Sequence, residues 1–120
     1  MKTINQLGIC MDHASAHLID PSGDEKTQQT IVCVFTSEQT EKLLNEKEQS
    51  TQAAYYREIG ENIQQYDEII LFGPTNAKSE LYNILNADAR FDNIKIACRQ
   101  SGKLTHHQQY EFVKEYFALL

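Results

Sequence analysis

The chain has 120 residues, 41% of them hydrophobic and 23% charged, which is the size and composition of one ordinary globular domain with a single core. Its net charge of −6, with eleven basic residues scattered and never in a run, excludes a large sequence-indifferent nucleic-acid surface but leaves room for a small basic patch. No apolar run approaches the roughly 18 residues of a membrane span, and the opening Met1-Lys2-Thr3-Ile4-Asn5 lacks a signal peptide's apolar stretch, so the expectation is a cytoplasmic protein without a membrane partner.

Leu7-Gly8-Ile9-Cys10-Met11-Asp12 is short and apolar and reads as a strand. Ser15-Ala16-His17-Leu18-Ile19-Asp20 follows across a tight connection at His13-Ala14, which predicts a hairpin. Pro21-Ser22-Gly23-Asp24 has turn chemistry, and Thr30 to Phe35 is rich in β-branched residues, as expected of a buried third strand. From Ser37 to about Tyr66 the chain turns polar and helix-forming, with Tyr55, Ile59, Ile63 and Tyr66 on one stripe. Gln49-Ser50-Thr51-Gln52 is a weak point there, so two helices or a loop and a helix are both open. Glu68 to Phe72 is a fourth strand closed by Gly73-Pro74; Ala77, Leu81, Ile84 and Leu85 mark a helix with Thr75 or Asn76 as its N-cap. Ile94 to Cys98 is a fifth strand. Thr105-His106-His107-Gln108 has the form of a capping box and opens a last helix that buries Val113, Phe117 and Leu120.

The order is βββαβαβα. Short connections among the first three strands favour antiparallel pairing, and strands alternating with helices favour parallel addition. The expectation is an α/β, ribonuclease-H-like domain spanning residues 1–120, with a mixed five-stranded sheet and helices packed on its faces.

Motifs for chemistry are incomplete. Asp12, at the end of the first strand, is where a nuclease of this fold class would hold a divalent metal, since hard cations prefer carboxylate oxygens. Glu58, Glu61, Asp67 and Glu68 are the available partners but occupy no nuclease spacing, so an Asp capping the hairpin is the stronger reading. Cys10, His13 and His17 form a C-x₂-H-x₃-H string suggestive of zinc, with His106 or His107 as a fourth ligand. A hairpin would make the three side chains diverge, and the adjacent histidines are expected exposed in the last helix's first turn. Gly73 to Lys78 is a strand-to-helix turn with a lysine that could hold an anion, but it lacks the P-loop order; a capped helix with a solvated Lys78 is the plainer reading. There is no G-x-S-x-G elbow, and three cysteines without a CxxC spacing give no disulfide framework. Tyr55-Tyr56 reads as core plus interface. No catalytic residue, metal or cofactor is assigned.

Four segments in succession resemble the small bacterial "translational machinery" proteins, which are similar to the middle domain of archaeal and eukaryotic peptide-chain release factors and of the ribosome-rescue factor Pelota. They are Met11 to Ala16, Tyr55 to Ile59, the Ile70 to Pro74 turn continuing through Ala77 to Leu81, and Thr105-x-x-Gln108 leading to Tyr116-Phe117. The resemblance covers nearly the whole chain and implies the ribonuclease-H-like fold. One departure limits it: release factors carry a Gly-Gly-Gln loop before the long helix, whereas Ser37 to Thr51 contains Gln39 and Gln49 but no glycine. Peptide release is therefore not expected. The resemblance implies a non-catalytic binding module that contacts ribosome or RNA, with Asp12, His13 and Lys78 as the contact residues. The alternatives are a metal-dependent nuclease or phosphoesterase using Asp12, and a homodimeric interaction protein with tyrosines on an exposed face.

Overall fold

The computed structural model describes residues 4–23, 28–33 and 41–119. Five strands and three helices alternate in the expected order: β1 (Gln6–Met11), β2 (Ser15–Ile19), β3 (Gln29–Val32), α1 (Glu41–Ile63), β4 (Glu68–Gly73), α2 (Ala77–Asn86), β5 (Lys95–Gln100) and α3 (His106–Ala118). A short 3-10 turn at Ala89–Phe91, capped by the Asp88 side chain on Arg90 N–H, was not foreseen from the sequence.

The strands form one mixed sheet in the order β3-β2-β1-β4-β5. The β1–β2 and β2–β3 pairs are antiparallel, while β4 adds to β1 and β5 to β4 in parallel. Hairpin-length connections permit only the first kind of pairing. The α1 and α2 crossovers supply the length the second kind needs.

Side-chain alternation assigns the two faces. Leu7, Ile9 and Met11 of β1, with Ala16, Leu18, Ile31, Ile69 and Leu71, pack against Tyr55, Tyr56, Ile59 and Ile63 of α1 and Leu81 and Leu85 of α2. Cys10, Ile19, Ile70 and Phe72 turn the other way and meet Val113 and Phe117 of α3. Gly8 lies on this second face, where any Cβ would overlap the Val113 side chain, so its lack of a side chain sets how closely α3 approaches β1. The expected capping box is present at the start of α3: Thr105 Oγ1 accepts from Gln108 N–H, and Gln108 Oε1 accepts from Thr105 N–H.

Four expectations need correction. The α1 helix runs unbroken through residues 49–52 and ends at Ile63. Tyr66 follows it in a turn in which its N–H donates to Ile63 O. β3 is an edge strand, not a buried one: only Ile31 is turned into the core, and Val32 is 56% exposed. Ile84 is exposed, because Ala77, Leu81 and Leu85 at four-residue spacing already form the buried stripe of α2. Tyr55 and Tyr56, expected as core plus interface, are both buried in the core, and the other four tyrosines are half-buried. Val34, Phe35, residues 37–40 with Gln39, and Leu120 lie outside the described residues.

Candidate functional site

In an open α/β sheet the natural place for a ligand is the crevice outside the carboxyl ends of the parallel strands. Here β1, β4 and β5 end side by side, and Asp12 follows directly on β1. Asp12 Oδ1 accepts hydrogen bonds from Ala14 N–H at 2.7 Å and Ser15 N–H at 2.9 Å, and Asp12 N–H donates to Ser15 O at 3.0 Å. This is an Asx turn, and it closes the β1–β2 hairpin. Tyr55 reaches from α1 to donate its hydroxyl to Asp12 O at 2.9 Å.

His13, at the hairpin tip, points to α2. Its Nε2 lies 3.2 Å from Glu80 Oε2, and Tyr56 donates its hydroxyl to the other carboxylate oxygen at 2.6 Å. Glu80 therefore joins the hairpin, α1 and α2. The Tyr56 hydrogen bond, and then His13, hold its carboxyl below the ordinary value, while burial and Glu80 push the Tyr56 phenol well above its own. Glu80 carried no spacing signal in the sequence: three elements distant along the chain bring its partners together.

Gly73, with φ at +152°, ends β4, and a Cβ there would overlap Met11 O. Beyond it Thr75 Oγ1 accepts from Ala77 N–H at 3.2 Å, so the Thr75 side chain, rather than Asn76's, covers the opening of α2. Lys78 is not solvated. Only 3% exposed, its Nζ donates to Thr75 O and, at 2.8 Å, to Gln100 Oε1 at the end of β5. Gln100 Nε2 in turn donates to Pro74 O and Ser101 O. Lys78 thus ties the β4–α2 turn to β5, with its aliphatic stem buried along the core. Of the three expected contact residues, the fold brings Asp12 and His13 together at one turn and gives Lys78 an inward role.

The C-x₂-H-x₃-H string separates as the hairpin folds, but not entirely. Cys10 and His17 are cross-strand partners in register and share the α3 face, so only His13 diverges. Burial pushes the Cys10 thiol up to about 11, with Asp12 adding to the effect, which makes it a poor nucleophile. The His106 ring tilts against His17, with centroids 4.7 Å apart, and His106 and His107 are exposed in the first turn of α3. Among the described residues no group of three or more His, Cys, Asp and Glu side chains is placed to hold a metal ion. None of the described helices is long and apolar enough to cross a membrane.

No protein-family model matches the chain, and no curated protein matches it by sequence. By structure it is similar to the Pelota protein of Thermoplasma acidophilum, with a TM-score of 0.60 and 20% sequence identity over 92% of this chain. The chain spans 32% of the length of that protein. The likeness is one of fold: the mixed five-stranded sheet with its three helices is shared with one part of Pelota.

Proposed function

We propose that residues 1–120 form a ribonuclease-H-like unit equivalent to the middle domain of Pelota and the release factors, and that it acts in the cytoplasm as a non-catalytic binding module of translation. The observation that carries this reading is the structural match to Pelota over 92% of the chain, in agreement with the four sequence segments that resemble the same group. Ribosome or RNA is the partner that the reading names. Asp12, His13 and the Lys78 turn lie at the same end of the sheet and form the contact region, with Lys78 fixing the turn's backbone rather than touching the partner.

The arrangement around Asp12 argues for binding over hydrolysis. One oxygen of this carboxylate is committed to the two turn amides, and among the described residues no second and third ligand gathers beside the other, as a hard cation held by protein oxygens would need. The test is sedimentation of the tagged protein through a sucrose gradient of native lysate at low and moderate salt. Co-migration with ribosomal particles, lost as salt rises, is the expected result. Recovery only at the top of the gradient at both salt levels would sink the reading.

A further inference from the structure

Three of the chain's four histidines gather on the face opposite Glu80 and the buried tyrosines, where β2 and β3 meet the first turn of α3. They line a groove of about 520 Å³ whose sheet wall carries His17 and Thr30 and whose helix wall carries His106, His107, Gln109 and Tyr110. His17 and Thr30 are register partners, and His17 Nδ1 lies 3.1 Å from Thr30 Oγ1, which fixes the plane of the ring. The His106 ring sits opposite, 4.7 Å away and tilted by 59°. Lys114, outside the lining, places its Nζ 5.3 Å from the centroid of the Tyr110 ring and so sets a cation beside the helix wall.

The lining is unusual for a chain of net charge −6. Asp20, Glu115 and Glu68 each line one of three other grooves, whereas among the described residues no Asp or Glu lines this one. Imidazole, hydroxyl and amide groups from β2, β3 and α3 line it; the Gln109 amide donates to Leu104 O and the Tyr110 hydroxyl to Gly23 O, so the imidazoles of His17 and His106 carry its recognition of an anion. The acidic groups nearby sit outside the lining: Glu111 is 3.9 Å from His107, and Asp12 acts on His17 electrostatically. Cys10, the cross-strand partner of His17, is buried and protonated.

We propose that this groove binds a phosphate group, clamped by His17 and His106 between β2 and α3 and drawn in by Lys114. A phosphate presents acceptor oxygens in several directions, which suits donors arriving from both walls. Burial, and then the neighbouring His106, keep the His17 ring below its ordinary value near 6.5, while Asp12 opposes them. An anion in the groove against the edges of both rings offsets both penalties, so binding takes up protons and tightens as the pH falls. The proposal does not depend on ribosome association: the phosphate belongs either to an RNA backbone or to a free phosphorylated small molecule.

The test is a titration with inorganic phosphate, followed by NMR through the histidine ring resonances at about pH 6 and about pH 7.5. The expected result is saturable shifts of His17 and His106, an affinity at least about fivefold tighter at the lower pH, and an upward move of both imidazole pKa values at saturation. The double variant His17→Gln/His106→Gln should lose that pH dependence and bind at least about fivefold more weakly. Lys114→Gln, which leaves both rings in place, should weaken binding without altering the imidazole pKa values measured in the absence of phosphate. A short single-stranded RNA that displaces phosphate from the same resonances assigns the source to RNA; displacement by a phosphomonoester alone assigns it to a small molecule. Shifts that do not saturate below about 10 mM, or phosphate affinity unchanged in a correctly folded double variant, would overturn the proposal.

Discussion

The carboxyl ends of the parallel strands and the histidine groove hold similar kinds of side chain in opposite electrostatic settings. At the strand ends, polar groups are matched from other elements. Tyr55 donates to Asp12 O, Tyr56 and His13 share Glu80, and Lys78 joins Thr75 to Gln100. These bonds cross from α1, α2 and β5 to the hairpin and the β4–α2 turn, so the polar groups there serve the fold. At the groove, imidazoles from β2 and α3 face a common space that no carboxylate lines among the described residues. A crevice in the favoured topological position can thus be held together by its own carboxylates, while the groove beside α3 gathers imidazoles among neutral groups that are themselves hydrogen-bonded.

The largest effect should come from breaking the strand-end region at its backbone. Gly73→Ala places a Cβ onto Met11 O at a φ of +152°, and neither backbone can move without parting β1 from β4. A loss of about 2–4 kcal/mol is expected from denaturant unfolding, read as a lower midpoint at unchanged slope. The His17–His106 contact is on another face and should survive in the histidine spectra of the folded fraction. Loss of both regions together would mean that they are one cooperative unit and not separable. Next in size is Lys78→Met, which keeps the buried stem but removes the donor to Gln100 and Thr75. It should cost about 1–2 kcal/mol. If the lysine were instead needed by a partner, stability would hold and binding alone would fall.

The two regions were unequally legible in the sequence. The hairpin, the Asp12 turn, the β-strand succession and the Thr105–Gln108 capping box are local, so residue types at short spacing were enough to place them. β3 was read as buried because Thr30-Ile31-Val32 has the composition of a core strand, and composition does not say which strand lies at the sheet's edge. Lys78 looked solvated because a lysine in a first helical turn usually is. Its burial depends on Gln100, 22 positions away on β5. The His17–His106 contact is also non-local: sheet alternation puts His17 on the α3 face, but only the docking of α3 over Gly8 brings the rings together.

Titration separates the regions with smaller effects. Tyr56→Phe removes the hydrogen bond that does most to hold the Glu80 carboxyl below 4.5, and should cost about 1 kcal/mol near neutral pH. Because the folded-state value is the depressed one, this contribution is complete above the unfolded value and lost as the pH falls through the folded value. Wild-type and variant stabilities should therefore converge once the pH has fallen through the depressed Glu80 value; a constant gap down to acid pH would mean the phenol contributes packing and not charge.

His17→Gln should have the smallest effect and a different window. The folded ring is held below 6.5, so the wild-type protein binds fewer protons there than its unfolded chain. Its stability at this site is complete above that value and falls as the pH drops through the folded value. The glutamine variant lacks that loss. Near pH 7.5 the two proteins should differ by only a few tenths of a kcal/mol, as expected of a partly exposed side chain. Below about pH 6 the variant should gain on the wild type, because it has no half-buried ring that must take up a charge against burial. Saturating phosphate should reverse that gain, since an anion against the edges of the two rings stabilises the wild-type groove and has no such pair to act on in the variant. A stability gap that does not respond to either pH or phosphate would reduce the ring contact to simple packing and leave the groove without its two defining charges.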